Sequence, residues 1–228
     1  ELRRQVARHA LAGGGQMAPD NLIVTLGTIE ALNLALRALT RPGDVVAVES
    51  PTYFSLLQCL ESLGLRVVEI PTDPATGISV EALELATRDH AVQAVVLVPN
   101  FSNPTGALMP DHAKARVAEL MSERDIPLIE DDVYGELHFS GPRPRPIKAF
   151  DRTGHVLYCS SLTKAVAPGL RIGWIEPGRY RDRVLIQKYI TTHSTPSLNQ
   201  LVLARFMEDG GYQRHLRQFR RRTREQVE

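Results

Sequence analysis

Residues 94–106 read AVVLVPNFSNPTG, an apolar run followed at once by polar and turn-forming residues. The run Ala94–Val98 has no polar alternation, which is typical of a parallel strand buried on both faces. The segment Pro99–Gly106 then offers amide and hydroxyl side chains directly after that strand. Since ligands of such sheets bind beyond the carboxyl ends of the strands, this stretch predicts a central strand and one part of a binding site.

Short apolar runs alternate with helical patterns on both sides of this stretch. The sequence predicts further strands at Leu22–Leu26, Val45–Val48, Leu65–Ile70, Ile126–Ile129, His155–Ser160 and Ile172–Ile175. It predicts helices at 2–11, Thr28–Leu39, Tyr53–Leu63, Ser79–Ala86, Asp111–Glu123, Arg179–Ile190, Leu198–Met207 and Tyr212–Glu228. Asp111 is expected to cap its helix, and the segments 71–77 (PTDPATG) and 141–146 (GPRPRP) are predicted loops, the second on the surface. This order indicates an α/β fold with a mainly parallel sheet sandwiched by helices.

Composition excludes several classes of protein. The 228 residues include 27 Lys and Arg against 26 Asp and Glu, a net charge of +1, and 43% are hydrophobic. These values are ordinary for a soluble globular protein, and the charge gives no general attraction to nucleic acid or membrane. The sequence contains no run of about 18 consecutive apolar residues, so it predicts no membrane span. Cys59 and Cys159 form no C-x-x-C pair, so a zinc ribbon or disulfide scaffold is excluded and a reducing cytoplasm is expected.

Polar clusters follow four of the predicted strands, so they are expected at one edge of the sheet. They begin at Gly27, Pro99, Glu130 and Ser161, and the last leads through Lys164 to Arg171. A lysine amine can form a Schiff base with a carbonyl, and a helix N-terminus with an arginine and hydroxyls can hold a phosphate. An acid can hold the proton on a pyridine nitrogen. Together these groups predict a pyridoxal phosphate site.

These motifs carry a resemblance to a known family. The motifs 103–106 (NPTG), Asp131-x-x-Tyr134, Ser161-x-x-Lys164 and Arg171 occur in the order found in fold-type I aminotransferases of class I/II. Three longer segments resemble the aminotransferase-like domain of MocR-type regulators of the GntR family. They are residues 99–106 (PNFSNPTG), 130–136 (EDDVYGE) and 161–173 (SLTKAVAPGLRIG). The resemblance covers roughly residues 2–226. It implies the large domain of an aspartate aminotransferase-like, pyridoxal 5′-phosphate-dependent transferase.

The resemblance also implies a role for each matching residue. Lys164 would hold the cofactor as a Schiff base and shuttle a proton, and Asp131 would pair with the pyridine nitrogen. Asn103 and Tyr134 would hydrogen-bond the phenolic oxygen, and Tyr53 would stack on the ring. The implied catalytic residues are Lys164, Asp131 and Tyr134. The phosphate would be held by Gly27, Thr28, Ile29, Ser161, Arg171 and, as an extra donor, Thr163. A cis Asn103–Pro104 bond is also implied.

Several alternatives stay open at the level of sequence. Ser161-x-x-Lys164 also matches serine acyl-transferases, but their companion S-D-N and K-T-G motifs are absent. Asp132 competes with Asp131, Tyr53 could be core packing, and Arg171 could form a surface ion pair. The seven histidines show no metal-binding spacing, so no metal site is predicted. The run Gly13–Gly15 is interpreted as a helix terminator and loop.

The six arginines of residues 214–224 (RHLRQFRRRTR) can form either a nucleic-acid patch or one face of a solvated amphipathic helix. We favour the solvated helix, with Leu216 and Phe219 facing inward.

The domain organisation is an expectation drawn from the ends of the sequence and from the resemblance. We expect residues 1–228 to be a fragment, truncated at both ends, of the large domain of a longer chain; a trimmed single domain is the alternative. The helix at 212–228 would lead toward a small C-terminal domain that binds the substrate carboxylate. A winged helix-turn-helix would lie upstream, so that DNA is contacted only outside this chain.

Two functions fit these expectations. The first is a homodimeric, cofactor-binding effector domain of a GntR/MocR-type transcriptional regulator that responds to an amino compound. The second is a free-standing aminotransferase of the 2-aminoadipate type.

Overall fold

The chain forms an α/β structure in the computed structural model, which describes residues 1–12 and 17–227. The helices are α1 (Leu2–Ala12), α2 (Thr28–Leu39), α3 (Phe54–Ser62), α4 (Val80–Asp89), α5 (Asp111–Glu123), α6 (Arg181–Thr191), α7 (Ser197–Glu208) and α8 (Gly211–Val227). The strands are β1 (Ile23–Thr25), β2 (Val45–Ser50), β3 (Arg66–Asp73), β4 (Gly77–Ile78), β5 (Val92–Leu97), β6 (Leu128–Asp131), β7 (Val156–Ser161) and β8 (Gly173–Glu176). The glycine run at 13–15, interpreted as a loop, lies outside the described residues.

The strands form one mainly parallel sheet, in the order β1-β8-β7-β6-β5-β2-β3-β4. Strands β3, β2, β5, β6 and β7 are parallel neighbours, whereas β8 is antiparallel to both β7 and β1, and β4 is antiparallel to β3. Strand β1 therefore points the same way as the parallel group. Its carboxyl end shares one edge of the sheet with those of β2, β5, β6 and β7.

Both faces of the sheet are covered by helices, which explains the unbroken apolar runs of the central strands. Successive side chains of a strand point to opposite faces. Ala94 and Val96 of β5 pack in one cluster with α2 and α3, while Val95 and Leu97 pack in a second cluster with α4 and α5. A third cluster joins α1, α7 and α8 to the β8 end of the sheet through side chains that include Trp174. The expected sandwich is confirmed.

Two local predictions differ from the structure, and for two others the structure adds a detail. The segment 71–77 is not all loop, because β3 extends to Asp73 and pairs with β4. Pro110, not Asp111, occupies the N-cap position of α5, and Asp111 lies in the first turn. The predicted strand Ile172–Ile175 exists as β8 but runs antiparallel. The surface loop 141–146 contains Arg143, whose side chain is mostly buried in ion pairs.

In the part of the chain that the structure describes, no helix has the length and apolar character that a membrane crossing requires.

Candidate functional site

A cavity of about 690 Å³, including the solvent at its mouth, lies at the shared edge of the parallel strands. The segments around it follow β1, β2, β5, β6 and β7, and Arg171 precedes the antiparallel β8, which starts at this edge. The cavity is lined by Thr28, Ile29, Tyr53, Val98, Asn103, Asp131, Val133, Tyr134, Ser161, Thr163, Lys164 and Arg171.

The cavity brings together nearly all of the residues selected from the sequence. Ten of the eleven line it, and Gly27 adjoins them: a Cβ added to Gly27 would lie 2.7 Å from Nη2 of Arg171. The cavity also contains Val98 and Val133, which sequence reasoning missed because no motif marks an apolar wall. Lys164 and Asp131, on which the whole interpretation depends, share this cavity.

Lys164 differs from the other lysines of the chain, all of which are described. Lys164 is exposed, and its Nζ lies 5.9 Å from the centre of the Tyr134 ring. This amine forms no hydrogen bond or ion pair with a described residue. The other three amines are held in place: Lys114 by Asn100 (2.7 Å), Lys148 by Glu176 (2.7 Å) and Lys188 by Glu30 (2.9 Å). Lys164 therefore has the amine most available for bonding to a ligand.

Asp131 ends β6 and opens onto the cavity, whereas Asp132 points to the other side. The carboxylate of Asp132 is fully buried and accepts hydrogen bonds from Asn100 (2.8 Å), Tyr158 (2.8 Å) and Arg143. Burial raises the pKa of Asp131 to about 7. The hydrogen bond from the Val133 amide and the charge of Lys164 oppose this rise, and the nearby charge of Asp132 adds to it. Asp131 forms no ion pair with a described residue and is suited to a ligand cation.

Two polar side chains converge beside the lysine. Nδ2 of Asn103 donates a hydrogen bond to the Tyr134 hydroxyl at 3.2 Å, although 31 residues separate them. The Asn103–Pro104 peptide bond is cis, as the resemblance implied. Tyr53 precedes α3 and lines the cavity in a partly buried position, so its simple core-packing alternative does not describe its place. These groups provide hydrogen bonds and an aromatic face within the same cavity.

The other end of the cavity has the properties of an anion site. Helix α2 begins at Thr28, and no side chain caps its N-terminus, so its first backbone N–H groups are available to a ligand. The buried hydroxyls of Thr28 and Thr163 have no hydrogen-bond partner in the described chain. Arg171 forms no surface ion pair with a described residue; its Nη2 donates to the Leu26 carbonyl at 2.8 Å beside this helix end. These unpaired donors fit a phosphate group.

Sequence reasoning also missed Glu49 at the end of β2. Its side chain is buried and accepts a hydrogen bond from Ser102 at 2.8 Å. Burial raises its pKa to about 7, and the charge of Asp131 contributes in the same direction. A carboxylate that ends an otherwise apolar strand, as in Val45–Ser50, was the available signal.

Comparison with known proteins shows the family of this chain. The sequence profile of the family described as aminotransferase class I and II matches residues 1–225. The chain is 49% identical over 220 residues to the uncharacterized HTH-type transcriptional regulator YjiR of Escherichia coli, covering 96% of this chain and 47% of that protein. It is 41% identical over 225 residues to the uncharacterized HTH-type transcriptional regulator YdcR of the same organism, covering 99% and 48%.

A solved aminotransferase has the same fold. The α-aminoadipate aminotransferase LysN of Thermus thermophilus, crystallised with N-(5′-phosphopyridoxyl)-L-leucine, superposes with a TM-score of 0.88 at 28% identity. The match covers 96% of this chain and 56% of that enzyme. The chain thus spans about half the length of the relatives it matches.

Proposed function

Because this chain belongs to the aminotransferase class I and II family, we propose that it is the pyridoxal 5′-phosphate-binding effector domain of a GntR/MocR-type transcriptional regulator. The observation that carries the proposal is that the unpaired amine of Lys164 and the carboxyl of Asp131 line the same cavity. The regulatory part is supported by the two HTH-type relatives, whose length is about twice that of the matched region. DNA would then be bound by another part of the protein.

The residues of the cavity fit the cofactor at both of its ends. Pyridoxal phosphate, when bound, supplies an aldehyde that bonds to amines and a ring that withdraws electrons. Lys164 would hold it through Nζ and would take up and return a proton at that atom. Asp131 would keep a proton on the ring nitrogen, since its buried carboxylate gains a counter-charge there. Asn103 and Tyr134 would donate hydrogen bonds to the ring, and Tyr53 would cover one of its faces.

The phosphate would lie at the N-terminus of α2. The amides of Thr28 and Ile29 point out of an uncapped helix end, where the helix dipole favours an anion. The unpaired hydroxyls of Thr28 and Thr163 would gain an acceptor. Arg171 and Ser161 would complete the set with a guanidinium and a hydroxyl. The role of Gly27 is to leave the space that Arg171 occupies.

A free-standing aminotransferase of the 2-aminoadipate type is the second candidate. The close superposition on LysN, over nearly all of this chain, favours it. The two functions share the cofactor site and differ in what the rest of the protein contributes. Turnover of an amino acid and a 2-oxo acid by the full-length protein would favour the enzyme. A change of DNA affinity on addition of pyridoxal phosphate and an amino compound would favour the regulator.

We also infer that the protein works as a homodimer in the cytoplasm. Seven of the fifteen large apolar side chains that are exposed in the described chain lie on α6 and α7. Helices that each expose several large apolar side chains are typical of a protein interface. We define the α6–α7 surface as Leu185, Ile186, Tyr189, Ile190, Leu198, Leu201 and Val202. The two free, buried cysteines are compatible with a reducing compartment.

The proposal is tested by trapping the cofactor on its lysine. The full-length protein with pyridoxal phosphate is reduced with borohydride, digested and analysed by mass spectrometry. We expect the adduct on Lys164, and none in Lys164→Ala or Lys164→Arg; the second variant keeps the positive charge but cannot bond to the aldehyde. Lys114, Lys148 and Lys188 are internal controls. An adduct on one of them that survives Lys164→Arg would overturn the proposal.

A further inference from the structure

Glu136 joins three distant parts of the chain behind the candidate site. It lies two residues after Tyr134, in the turn that follows β6, and its side chain is only 12% exposed. Its carboxylate contacts His9 of α1 at 2.8 Å, Nε of Arg143 at 2.6 Å and Nη2 of Arg220 of α8 at 2.9 Å. Burial raises the pKa of Glu136, but the hydrogen bond of His9 and the charge of Arg143 outweigh it and lower the pKa to about 2.

Arg143 extends this network to the start of the same turn. Its Nη2 pairs with the carboxylate of Asp132, the residue next to Asp131, and also lies 3.3 Å from the Tyr158 hydroxyl. One guanidinium therefore connects both ends of the turn 132–136. Ion pairs therefore hold this turn from behind, next to Asp131 at the end of β6 and around Tyr134, which both line the cavity.

Arg220 is the contact that reaches the turn from the last helix. Its Nε donates to the Glu136 carbonyl oxygen at 2.6 Å, in addition to the carboxylate contact, and its side chain is 21% exposed. Leu216 is buried, as the amphipathic pattern predicted, and Arg220 is the arginine of this helix that contacts the turn. Arg217, one turn earlier, is exposed and forms no hydrogen bond or ion pair with a described residue.

We propose that Arg220 is a positioning residue of the cavity: it fixes the turn that follows Asp131 and carries Tyr134, so that the position of α8 controls how the cavity holds pyridoxal phosphate. The two hydrogen bonds of Arg220 act on both the backbone and the carboxylate of Glu136, which restricts the turn more than one contact would. A shift of α8 withdraws both bonds together. By linkage, cofactor binding must then affect the position of α8 to the same extent.

This inference rests on the proposed function, because it concerns affinity for the proposed cofactor. The test uses the full-length protein and three variants: Arg220→Gln, Arg220→Lys and the matched control Arg217→Gln. Titration with pyridoxal phosphate gives the affinity, and visible circular dichroism per bound cofactor reports how the ring is held. Arg220→Gln should weaken binding about fivefold or more and change the dichroism. Arg220→Lys, which can keep one of the two contacts, should be intermediate, and Arg217→Gln should match the unmodified protein.

A measurement without cofactor separates this inference from the proposed function. Hydrogen–deuterium exchange of residues 131–137 should be faster in Arg220→Gln than in Arg217→Gln. Equal exchange, affinity and dichroism in the two variants would overturn the inference while leaving the trapping result on Lys164 intact. Faster exchange with unchanged affinity and dichroism would also overturn it, because Arg220 would then only stabilise the turn. Failure of the unmodified protein to bind the cofactor would overturn the proposed function instead.

Discussion

Asp131 and Asp132 are neighbours in sequence with opposite surroundings. Their side chains alternate across the end of β6, so that one faces the cavity and the other the interior. Asp132 is matched by Arg143 and two neutral donors, whereas Asp131 receives only the Val133 amide from the described chain. A half-buried carboxylate without an ion-pair partner is costly. The cost at Asp131 makes it the carboxylate that can gain most from a bound cation.

This cost predicts a pH dependence that Asp131→Asn should remove. The pKa of Asp131 is raised to about 7, chiefly by burial, while that of an unfolded aspartate is about 4. Between these values the folded protein holds a proton that the unfolded chain lacks, so stability rises as pH falls from about 7 to about 4. The amide of the Asp131→Asn variant does not titrate in this range. Relative to the unmodified protein, the cofactor-free variant should therefore become more stable as the pH rises from 5 to 8. The change in the difference between their free energies of unfolding should be on the order of 2 kcal/mol.

Urea unfolding of both proteins at pH 5 and pH 8 measures this difference. Glu49 and Glu130 also have raised pKa values, to about 7 and about 8, and influence both proteins in the same direction. Because the charge of Asp131 contributes to the raised pKa of Glu49, the difference between variant and unmodified protein reports Asp131 together with its effect on Glu49. A stability difference that is equal at the two pH values would show that the Asp131 carboxyl is not buried in the way described.

At the scale of elements, the sequence predicts those features that depend on residues close together in the chain. The helix from Thr28 to Leu39 has the predicted bounds because its apolar spacing and its glycine entry are both local features. The direction of β8 is not local: it follows from a connection too short and irregular to form a helical crossover. The place of Arg143 depends on acids that are 7 and 11 residues away. The residues that line the cavity were predictable because strand ends share one edge of the sheet. No local sequence pattern marks Glu136 as part of the ion-pair network or Val98 as part of the cavity wall.

The N-terminus of α2 provides a prediction with a built-in control. Gly27 has φ +84°, and a Cβ there would lie 2.7 Å from Nη2 of Arg171. Gly43 has φ +92° in a turn, and a Cβ there would meet nothing within 4 Å. Alanine at either position should cost about 1–3 kcal/mol of stability, because positive φ disfavours a side chain. Only Gly27→Ala should also displace Arg171 and weaken binding of pyridoxal phosphate, about tenfold or more.

Thermal unfolding and cofactor titration of the two alanine variants separate these effects. The variants should lose similar stability and differ in affinity. If Gly43→Ala lost as much affinity as Gly27→Ala, general destabilisation would explain the result and the phosphate assignment at this helix end would fail.

At the scale of the whole molecule, the α6–α7 surface is connected to the candidate site. Glu30, in the first turn of α2, accepts hydrogen bonds from Lys188 of α6 at 2.9 Å and from Thr192 at 2.6 Å. Lys188 also donates to Thr195, which lies just before α7. The helix end assigned to the phosphate is therefore bonded to the same segment that displays the apolar side chains. A partner seated on this surface would lie close to the cofactor.

The exposed apolar side chains of the α6–α7 surface predict that the full-length protein is a homodimer. Leu198→Glu should weaken this dimer. Leu198 is 71% exposed at the start of α7, within the α6–α7 surface. A carboxylate in an apolar interface is left unpaired, which should raise the dimer dissociation constant about tenfold or more. Leu85→Glu, on the remote helix α4 at 49% exposure, is the control and should leave the dimer unchanged. Light scattering over a dilution series measures both, and a Leu198→Glu dimer as tight as the control would place the interface elsewhere.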